Sequence, residues 1–383
     1  MTNPFTLELA LGTALINRRA ELQAVRTALL HRKKLFVIGP RRFGKTSILL
    51  TAAAQLRREK VVILDFNIEG YTSLDLLVRG IVSGAAGLAG NLTQATKSIR
   101  RFFSSLQPSL SAGIDGTVSA SLGIKPPEQD EQSPLLMEAL NSLNAMAGQS
   151  GQTVGLIFDE FQHLLKLGGA GIEGQLRAAV QTHQHLGYVF AGSQTTLIAD
   201  MVSNPARPFY RLGENLFIGA IPRPELLAFL TEKFAALDCH EEDNAFTALL
   251  TAAEDVPYNA QALARACWDE VSQSQLRQLT PALVQATVQR LVRSNAPIFV
   301  TFWGGLTALQ QKALAAVAAA QGQHLTSRAV LKRFDLSAGA MQKSLQALEN
   351  ATLIRREFTA TSVSYRFEDP FLKLWIAGFT VTS

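Results

Sequence analysis

The stretch that most constrains this chain is residues 39–47, which read GPRRFGKTS. Gly39, Gly44, Lys45 and Thr46 have the spacing of the phosphate-loop pattern G-x-x-x-x-G-K-[ST]. Two glycines let such a loop curl until its backbone N–H groups point at phosphate oxygens, and the following helix adds its positive dipole end. An apolar run precedes the loop and a helix-forming stretch follows it, so a chance glycine turn is a poor explanation. The stretch predicts a nucleotide site.

The residues of this loop are expected to have different roles in binding the phosphates and the metal ion. Lys45 would reach the β- and γ-phosphates, and the hydroxyl of Thr46 would be a ligand of Mg²⁺. The loop residues predicted to contact the nucleotide are Gly39, Pro40, Arg41, Arg42, Phe43, Gly44, Lys45, Thr46 and Ser47.

A second motif lies where the apolar run 154–158 ends in Asp159 and Glu160. Acids at the carboxyl end of a parallel strand face the crevice in which ligands bind. Asp159 is expected to hold Mg²⁺, which prefers oxygen ligands, and Glu160 to polarise the attacking water. Many strands end in acids, so this motif alone is weak evidence for a catalytic site. The phosphate loop earlier in the chain makes that interpretation strong. Together the two motifs predict metal-assisted hydrolysis of a nucleoside triphosphate.

Two further polar positions complete the predicted catalytic set. The apolar run 188–191 ends near Ser193 and Gln194, either of which could sense the γ-phosphate or fix the water, while Ser193 could equally cap the next helix. Arg211 is the better candidate for stabilising transition-state charge and Arg207 the weaker, although a loop arginine more often forms a surface salt bridge. The predicted catalytic residues are Lys45, Glu160, Ser193 and Arg211.

An inserted segment is expected at about 97–131. Alternating residues flank Asp115-Gly116 and predict a β-hairpin over 109–124. Residues 125–133 are polar and predict a linker, with the next helix over 135–147.

The C-terminal segment has the pattern of a winged helix. Helices are predicted over 306–320, 327–334 (capped by Thr326) and 338–350, followed by two strands around residues 360–362. Residues 306–383 carry nine lysines and arginines against five acids, a net charge of +4. Contacts to DNA phosphates are predicted for Lys343, Arg355 and Arg356. The competing interpretation is a winged helix that contacts proteins or packs on the rest of the chain.

Length, charge and cysteine content limit the number of domains, the kind of partner and the cellular compartment. The 383 residues suffice for two or three domains, and the net charge of +5 is compatible with an anionic partner. Two distant cysteines suggest a reducing compartment and no metal knuckle. The sequence shows neither a signal peptide nor a membrane-spanning stretch, so a cytoplasmic location is expected.

Several stretches together resemble the archaeal-type ATPase family, which belongs to the additional-strand P-loop division near the STAND and origin-recognition-like AAA+ proteins. The stretches are INRRAEL (16–22), GPRRFGKTS (39–47), IFDEFQ (157–162), AGS (191–193), FYR (209–211) and YRFEDPFLKLW (365–375). Asn17 and Tyr210 depart from the pattern, since related proteins often have glycine at both places. The resemblance implies an α/β fold: a P-loop NTPase parallel sheet over 1–220, a helical lid over 221–300 and a winged helix over 301–383. It also implies ATP rather than GTP, with Asn17 and Arg18 beside the base.

Two functional hypotheses follow. In the first, the protein is a Mg²⁺-dependent ATPase associated with double-stranded DNA, whose nucleotide state controls assembly or its grip on DNA. In the second, it is a STAND-like signalling ATPase whose winged helix contacts proteins. The expected partners are therefore ATP or ADP, Mg²⁺, DNA, and a second copy or another protein, with no membrane. A metabolic kinase is a distant third, because no acceptor-substrate site is evident.

Overall fold

The computed structural model describes most of the chain, and its residues form two compact units. The described residues are 2–6, 8–9, 15–89, 108–112, 118–122, 129–169, 171–193, 195–273, 277–358 and 363–380. The sheet unit comprises residues 11–40 and 44–219, and the helical unit comprises residues 1–10, 41–43 and 220–383. Gln194 and the predicted turn at Asp115-Gly116 lie outside the described residues.

The sheet unit alternates strands and helices. Its elements are α1 (Arg19–Leu30), β1 (Lys34–Ile38), α2 (Lys45–Arg58), β2 (Val62–Asn67), α3 (Leu74–Ala89), β3 (Pro108–Ala112), β4 (Val118–Leu122), α4 (Gln129–Ser150), β5 (Val154–Asp159), α5 (Leu164–Gly168), α6 (Ile172–Thr182), β6 (Leu186–Gly192), α7 (Thr195–Ser203) and β7 (Glu214–Phe217). Five parallel strands form the central sheet in the order β2-β5-β6-β1-β7. β6 lies between the strand of the phosphate loop and the strand of the acids, so the sheet has the additional strand that the family resemblance implies.

A row of aromatic side chains fixes the register across this sheet. Phe36, Phe190, Phe158 and Phe66 are aligned partners on four neighbouring strands. Their ring centroids lie 5.1, 5.7 and 5.7 Å apart in turn, with the rings nearly parallel. All four are buried in the core beneath the helices. Stacking of this kind adds to the burial of large apolar surfaces, and the shared register brings the carboxyl ends of the strands to one edge.

The inserted segment contains two antiparallel strands, and the helix after it differs from the prediction. β3 and β4 pair from Pro108 with Leu122 to Ala112 with Val118. Helix α4 begins at Gln129, so the end of the predicted 125–133 linker is helical.

The helical unit begins after β7. Its elements are α8 (Arg223–Ala235), β8 (His240–Glu241), α9 (Ala245–Ala252), α10 (Pro257–Gln273), β9 (Gln278–Leu279), α11 (Pro281–Gly304), α12 (Ala308–Ala319), α13 (Arg328–Arg333), α14 (Ala338–Asn350), β10 (Ile354–Phe358), β11 (Val363–Phe367) and α15 (Pro370–Thr380). The predicted domain boundary at 300/301 falls inside α11. That division of the chain stays a prediction.

The winged-helix pattern is confirmed, and hydroxyl caps define its helices. Thr307 and Gln310 form a capping box at α12, and Ser337 accepts a hydrogen bond from Ala340 at the start of α14. The cap of α13 is Ser327 rather than the predicted Thr326, because Ser327 directly precedes the first helical residue. β10 and β11 pair antiparallel and form the wing. Among the described residues, no helix is long and apolar enough to cross a membrane.

Candidate nucleotide site and nucleic-acid interface

The two glycines of the phosphate loop are needed for different reasons. A Cβ on Gly39 would lie 2.7 Å from the carbonyl oxygen of Ile218, so only glycine allows the loop to start against the chain that follows β7. Gly44 has φ +86°, a left-handed conformation that L side chains rarely adopt, and it precedes the first residue of α2. Both positions of the sequence pattern are therefore set by backbone geometry.

Helix α2 begins with the predicted phosphate-binding lysine. Lys45 is 5% exposed, and its Nζ donates to the carbonyl oxygens of Gly39 and Pro40, each at 2.8 Å. The first turn of α2 contains no acid. The ammonium group and the positive helix terminus therefore act together at the loop, an arrangement suited to phosphate.

Thr46 and Asp159 meet at the edge of the sheet. Thr46 Oγ1 donates to Asp159 Oδ2 at 2.6 Å, and the Glu160 amide donates to Asp159 Oδ1 at 2.9 Å. Burial raises the pKa of Asp159, and the hydrogen bond from Thr46 partly offsets this. One hydroxyl and one carboxylate fit Mg²⁺, which binds few protein oxygens and keeps its remaining sites for water and phosphate. The described residues contain no cluster of three His, Cys, Asp or Glu side chains that could hold a metal by themselves.

The Glu160 carboxylate is held by two neighbours. Its Oε2 accepts hydrogen bonds from Ser193 Oγ at 2.7 Å and from Gln162 Nε2 at 2.5 Å. Gln162 is 2% exposed, and a Cβ on Gly192 would come within 2.4 Å of its Oε1. Sequence reasoning missed Gln162, because a glutamine two residues after an acid carries no motif of its own. The predicted Ser193 does lie beside Glu160.

Arg18 is anchored to the chain that follows β7. It is 5% exposed, its Nη1 contacts Glu21 at 2.8 Å, and its Nη2 donates to the carbonyl oxygen of Gly219 at 2.6 Å. Arg18 occupies the N-cap position of α1, and Asn17 before it has a positive φ of 23°. The placement of Asn17 and Arg18 beside the nucleotide base stays a prediction.

The two loop arginines have different surroundings. Arg207 forms a close ion pair with Glu173, a carboxylate whose pKa is raised by burial, and lies 3.7 Å from Asp200. It therefore ties its loop to α6. The guanidinium of Arg211 lies 5.0 Å from the Tyr210 ring centroid, and the described part of the chain offers it no ion pair. Arg211 remains the candidate for binding transition-state charge.

Residues 41–43, at the centre of the loop, belong to the helical unit. Arg42 Nη1 donates to the carbonyl oxygen of Glu368 at 3.2 Å and to Asn259 Oδ1 at 3.4 Å. Its contact with the nucleotide stays a prediction. Phe43 is 7% exposed beneath the guanidinium of Arg355.

The wing arginines are engaged within the protein, which bears on part of the predicted DNA interface. Arg355 is 8% exposed, and it contacts the carbonyl oxygen of Phe367 at 3.2 Å, Glu357 at 3.2 Å and Glu368 at 3.6 Å. A buried, paired guanidinium is poorly placed to contact DNA, so the surroundings of Arg355 do not support the contact predicted for it. Arg356 pairs with Glu349 at 2.9 Å, which leaves it poorly placed for the same task.

The remaining cations fall into two groups. Lys312, Arg366 and Lys373 pair with acids. Within the described residues of 306–383, four exposed cations form no ion pair, and all four lie on α13 or α14: Arg328, Lys332, Arg333 and Lys343. Of the predicted DNA contacts, only Lys343 belongs to this group. The unneutralised charge is therefore on the helix-turn-helix and not on the wing.

Comparison with known proteins supports this architecture. Residues 297–378 match the family model "Probable winged helix domain". A Walker-type ATPase from Pyrococcus abyssi has a TM-score of 0.63 at 15% identity, with 97% of this chain and 99% of that chain covered. The ORC2 protein of Aeropyrum pernix, solved in ADPNP–ADP complexes, has a TM-score of 0.55 at 14% identity, with 96% of each chain covered. Drosophila ORC bound to DNA has a TM-score of 0.50 at 13% identity, covering 97% of this chain and 89% of that chain.

These likenesses decide the fold. The chain has the fold of a P-loop ATPase with a C-terminal winged helix. The resemblance to archaeal-type ATPases and their AAA+ relatives is thereby confirmed at the level of the fold. No protein of curated function matches the sequence significantly.

Proposed function

We propose that this protein is a Mg²⁺-dependent ATPase that works as a molecular switch and associates with double-stranded DNA through its winged helix. The carrying observation is the continuous set of contacts from Thr46 through Asp159 and Glu160 to Ser193, beside the phosphate loop. Those side chains supply a metal ligand pair and a carboxylate for water activation at one edge of the sheet. In this proposal, the nucleotide state controls assembly or the grip on DNA.

Each residue has a stated task in the proposed reaction. Lys45 and the N-terminus of α2 bind the phosphates, while Gly39 and Gly44 shape the loop. Glu160 polarises the attacking water, and Ser193 with Gln162 holds the orientation of its carboxylate. Arg211 stabilises charge that develops on the transferred phosphoryl group. When bound to Thr46 and Asp159, Mg²⁺ would neutralise charge on the phosphate oxygens.

The preference for ATP rests on the family resemblance, and the ADPNP–ADP complexes of the Aeropyrum pernix protein support it. The DNA association rests on the four exposed cations of α13 and α14. The DNA-bound Drosophila complex, which has a similar fold, supports it too. Unpaired lysines and arginines at a helix-turn-helix suit contacts to phosphates, which supply most of the affinity of such interfaces.

Two substitutions test the ATPase proposal. Lys45→Ala should abolish or strongly weaken binding of ATP, because the buried ammonium and its phosphate contacts are lost. Glu160→Gln should preserve ATP binding yet lower hydrolysis by roughly 100-fold or more, since the amide cannot take up a proton. Binding is measured with a fluorescent ATP analogue, and turnover by phosphate release at saturating ATP and Mg²⁺. Normal turnover in Glu160→Gln would overturn the water-activating role.

The alternative is a STAND-like signalling ATPase whose winged helix contacts proteins. It is favoured by the wing itself, where Arg355 and Arg356 are already paired with acids. This alternative predicts slow turnover and DNA binding that is absent or insensitive to salt.

A further inference from the structure

The centre of the phosphate loop contacts the residues that follow the wing. Arg42 Nη1 donates to the Glu368 carbonyl at 3.2 Å and lies 3.8 Å from Asp369 Oδ2. Glu368 and Asp369 directly follow β11, and the Glu368 amide donates back to Leu353 at 3.0 Å, just before β10. All of these residues belong to the helical unit. A residue of the nucleotide motif is thus bound at the base of the wing.

Asp369 has two separate contacts. Its Oδ1 accepts from the amides of Phe371 at 2.8 Å and Leu372 at 3.4 Å, which caps helix α15. Its Oδ2 faces Arg42. The same carboxylate therefore fixes the start of α15 and the side chain of a phosphate-loop residue.

The next loop residue makes a second connection to the wing. The Arg355 guanidinium lies 5.5 Å from the Phe43 ring centroid. Arg355 itself bonds to the Phe367 carbonyl and pairs with Glu368. Cation–π contacts strengthen when they are removed from water, and both Phe43 and Arg355 are buried. We call Arg42, Phe43, Arg355, Glu368 and Asp369 the loop–wing cluster.

The backbone of Arg42 is fixed as well. It has φ +66°, a conformation that few residues other than glycine adopt, and its carbonyl accepts from the Tyr258 amide at 3.4 Å. The Arg42 guanidinium also lies 5.0 Å from the Tyr258 ring centroid. The first turn of α10 and the end of the wing thus both contact one residue between Gly39 and Gly44.

We propose that the loop–wing cluster positions the phosphate loop, so that nucleotide binding and the conformation of the wing are coupled. Asp369 and Arg355 act as positioning residues through Arg42 and Phe43. The inference rests on the proposed function only in requiring that the loop binds nucleotide. A nucleotide that favours one backbone arrangement of residues 39–47 must shift the contacts of Arg42 and Phe43, and by thermodynamic linkage the wing shifts nucleotide affinity by the same factor.

The sharpest variant is Asp369→Asn. It keeps a side-chain oxygen to cap α15 and removes the charge that faces Arg42. Arg42→Gln removes the other partner. The matched control is Lys373→Gln, which breaks the 2.7 Å ion pair from α15 to Glu254 without touching the loop. All three are made in the full chain.

Hydrogen exchange with and without a non-hydrolysable ATP analogue and Mg²⁺ is the measurement. In the wild type and in Lys373→Gln, the analogue should protect amides 44–58 and also change exchange over 363–380. In Asp369→Asn and Arg42→Gln, the change over 363–380 should be lost. Protection of 44–58 should remain in Asp369→Asn, which leaves every residue of the phosphate loop in place. The double variant should behave as either single variant does, because both remove one contact. A merely structural role would not make the response at 363–380 depend on the nucleotide.

The outcomes separate this proposal from the proposed function. Protection at 44–58 without a change at 363–380 in the wild type would overturn the coupling alone. So would a change at 363–380 that survives in both variants. Absence of protection at 44–58 in the wild type would overturn nucleotide binding, and the coupling with it.

Discussion

Gln162 has no role of its own in the proposed reaction, but it contacts Glu160, the carboxylate that we propose to activate water. Its Nε2 donates to the Glu160 carboxylate, and its Oε1 lies against Gly192. Glu160 has φ +50°, so the backbone aims this carboxylate in an uncommon direction and the side-chain contacts hold it there. Orientation by neighbouring groups is as necessary to a general base as its charge is.

Substitution of Gln162 should therefore separate positioning from binding. Gln162→Ala is expected to lower hydrolysis by about tenfold at unchanged ATP affinity, because an outer-shell contact is lost. Gln162→Glu should be worse, since it places a second carboxylate beside Glu160, raises the pKa of Glu160 and shifts the pH–rate profile upward. Turnover across pH 6–9 is the measurement. A wild-type pH profile in Gln162→Glu would contradict the positioning role.

At the scale of elements, a buried histidine joins three parts of the sheet unit. His183 follows α6, and its two ring nitrogens contact the Tyr188 hydroxyl of β6 at 2.6 Å and Asn141 Oδ1 of α4 at 2.8 Å. A neutral ring satisfies both contacts, accepting from the hydroxyl and donating to the amide oxygen. Burial, followed by the nearby charge of Lys34, lowers the pKa of His183 from 6.5 to about 4.

That lowered pKa predicts a loss of stability in mild acid. Between the unfolded value of 6.5 and the folded value of about 4, the unfolded chain binds a proton that the folded chain does not. The free energy of unfolding should therefore fall as the pH decreases through this window, by about 2 kcal/mol at pH 5. Urea unfolding at pH 7 and pH 5 measures it. His183→Gln, which cannot titrate there, should lose less, and an equal loss in both proteins would contradict the assignment.

At the scale of the whole molecule, the proposed DNA association depends on the cations of the winged helix that form no ion pair. Arg328, Lys332, Arg333 and Lys343 are the exposed cations that remain without ion pairs in the described part of the winged helix. The proposed contacts to DNA phosphates are therefore expected on α13 and α14. The wing arginines instead serve the fold, because they neutralise Glu349, Glu357 and Glu368.

The contrast between the unpaired cations of α13 and α14 and the paired arginines of the wing predicts the salt dependence of DNA binding. Lys332→Gln and Lys343→Gln should each weaken duplex binding and reduce the slope of log affinity against log salt by about 0.9. Lys312→Gln is the matched control, since Lys312 is already paired with Asp335, and its slope should change little. Fluorescence anisotropy over a salt series, with and without ATP, is the measurement. Undetectable or salt-insensitive binding by the wild type would favour the signalling alternative.

The sequence by itself determined the parallel sheet, the winged-helix pattern and the two motifs at the nucleotide site. These are local signals: glycines where the backbone needs them, apolar runs for buried strands, and acids at a strand end. The position of Gly44 follows from its left-handed backbone and that of Asp159 from the end of its strand, whereas glycine at position 39 is required by Ile218, which is distant in sequence.

Only the tertiary structure decided what each arginine does. Arg355 and Lys343 are alike in sequence as cations of the winged helix, yet one is buried against acids and the other is exposed. Arg42, within the phosphate loop, contacts Glu368 more than 300 residues later in the chain. The energy of a charge depends on which groups surround it and on how much water it keeps, and both are fixed by contacts distant in sequence. Spacing along the chain therefore predicted the nucleotide site, while burial and pairing selected the cations that remain available to a partner.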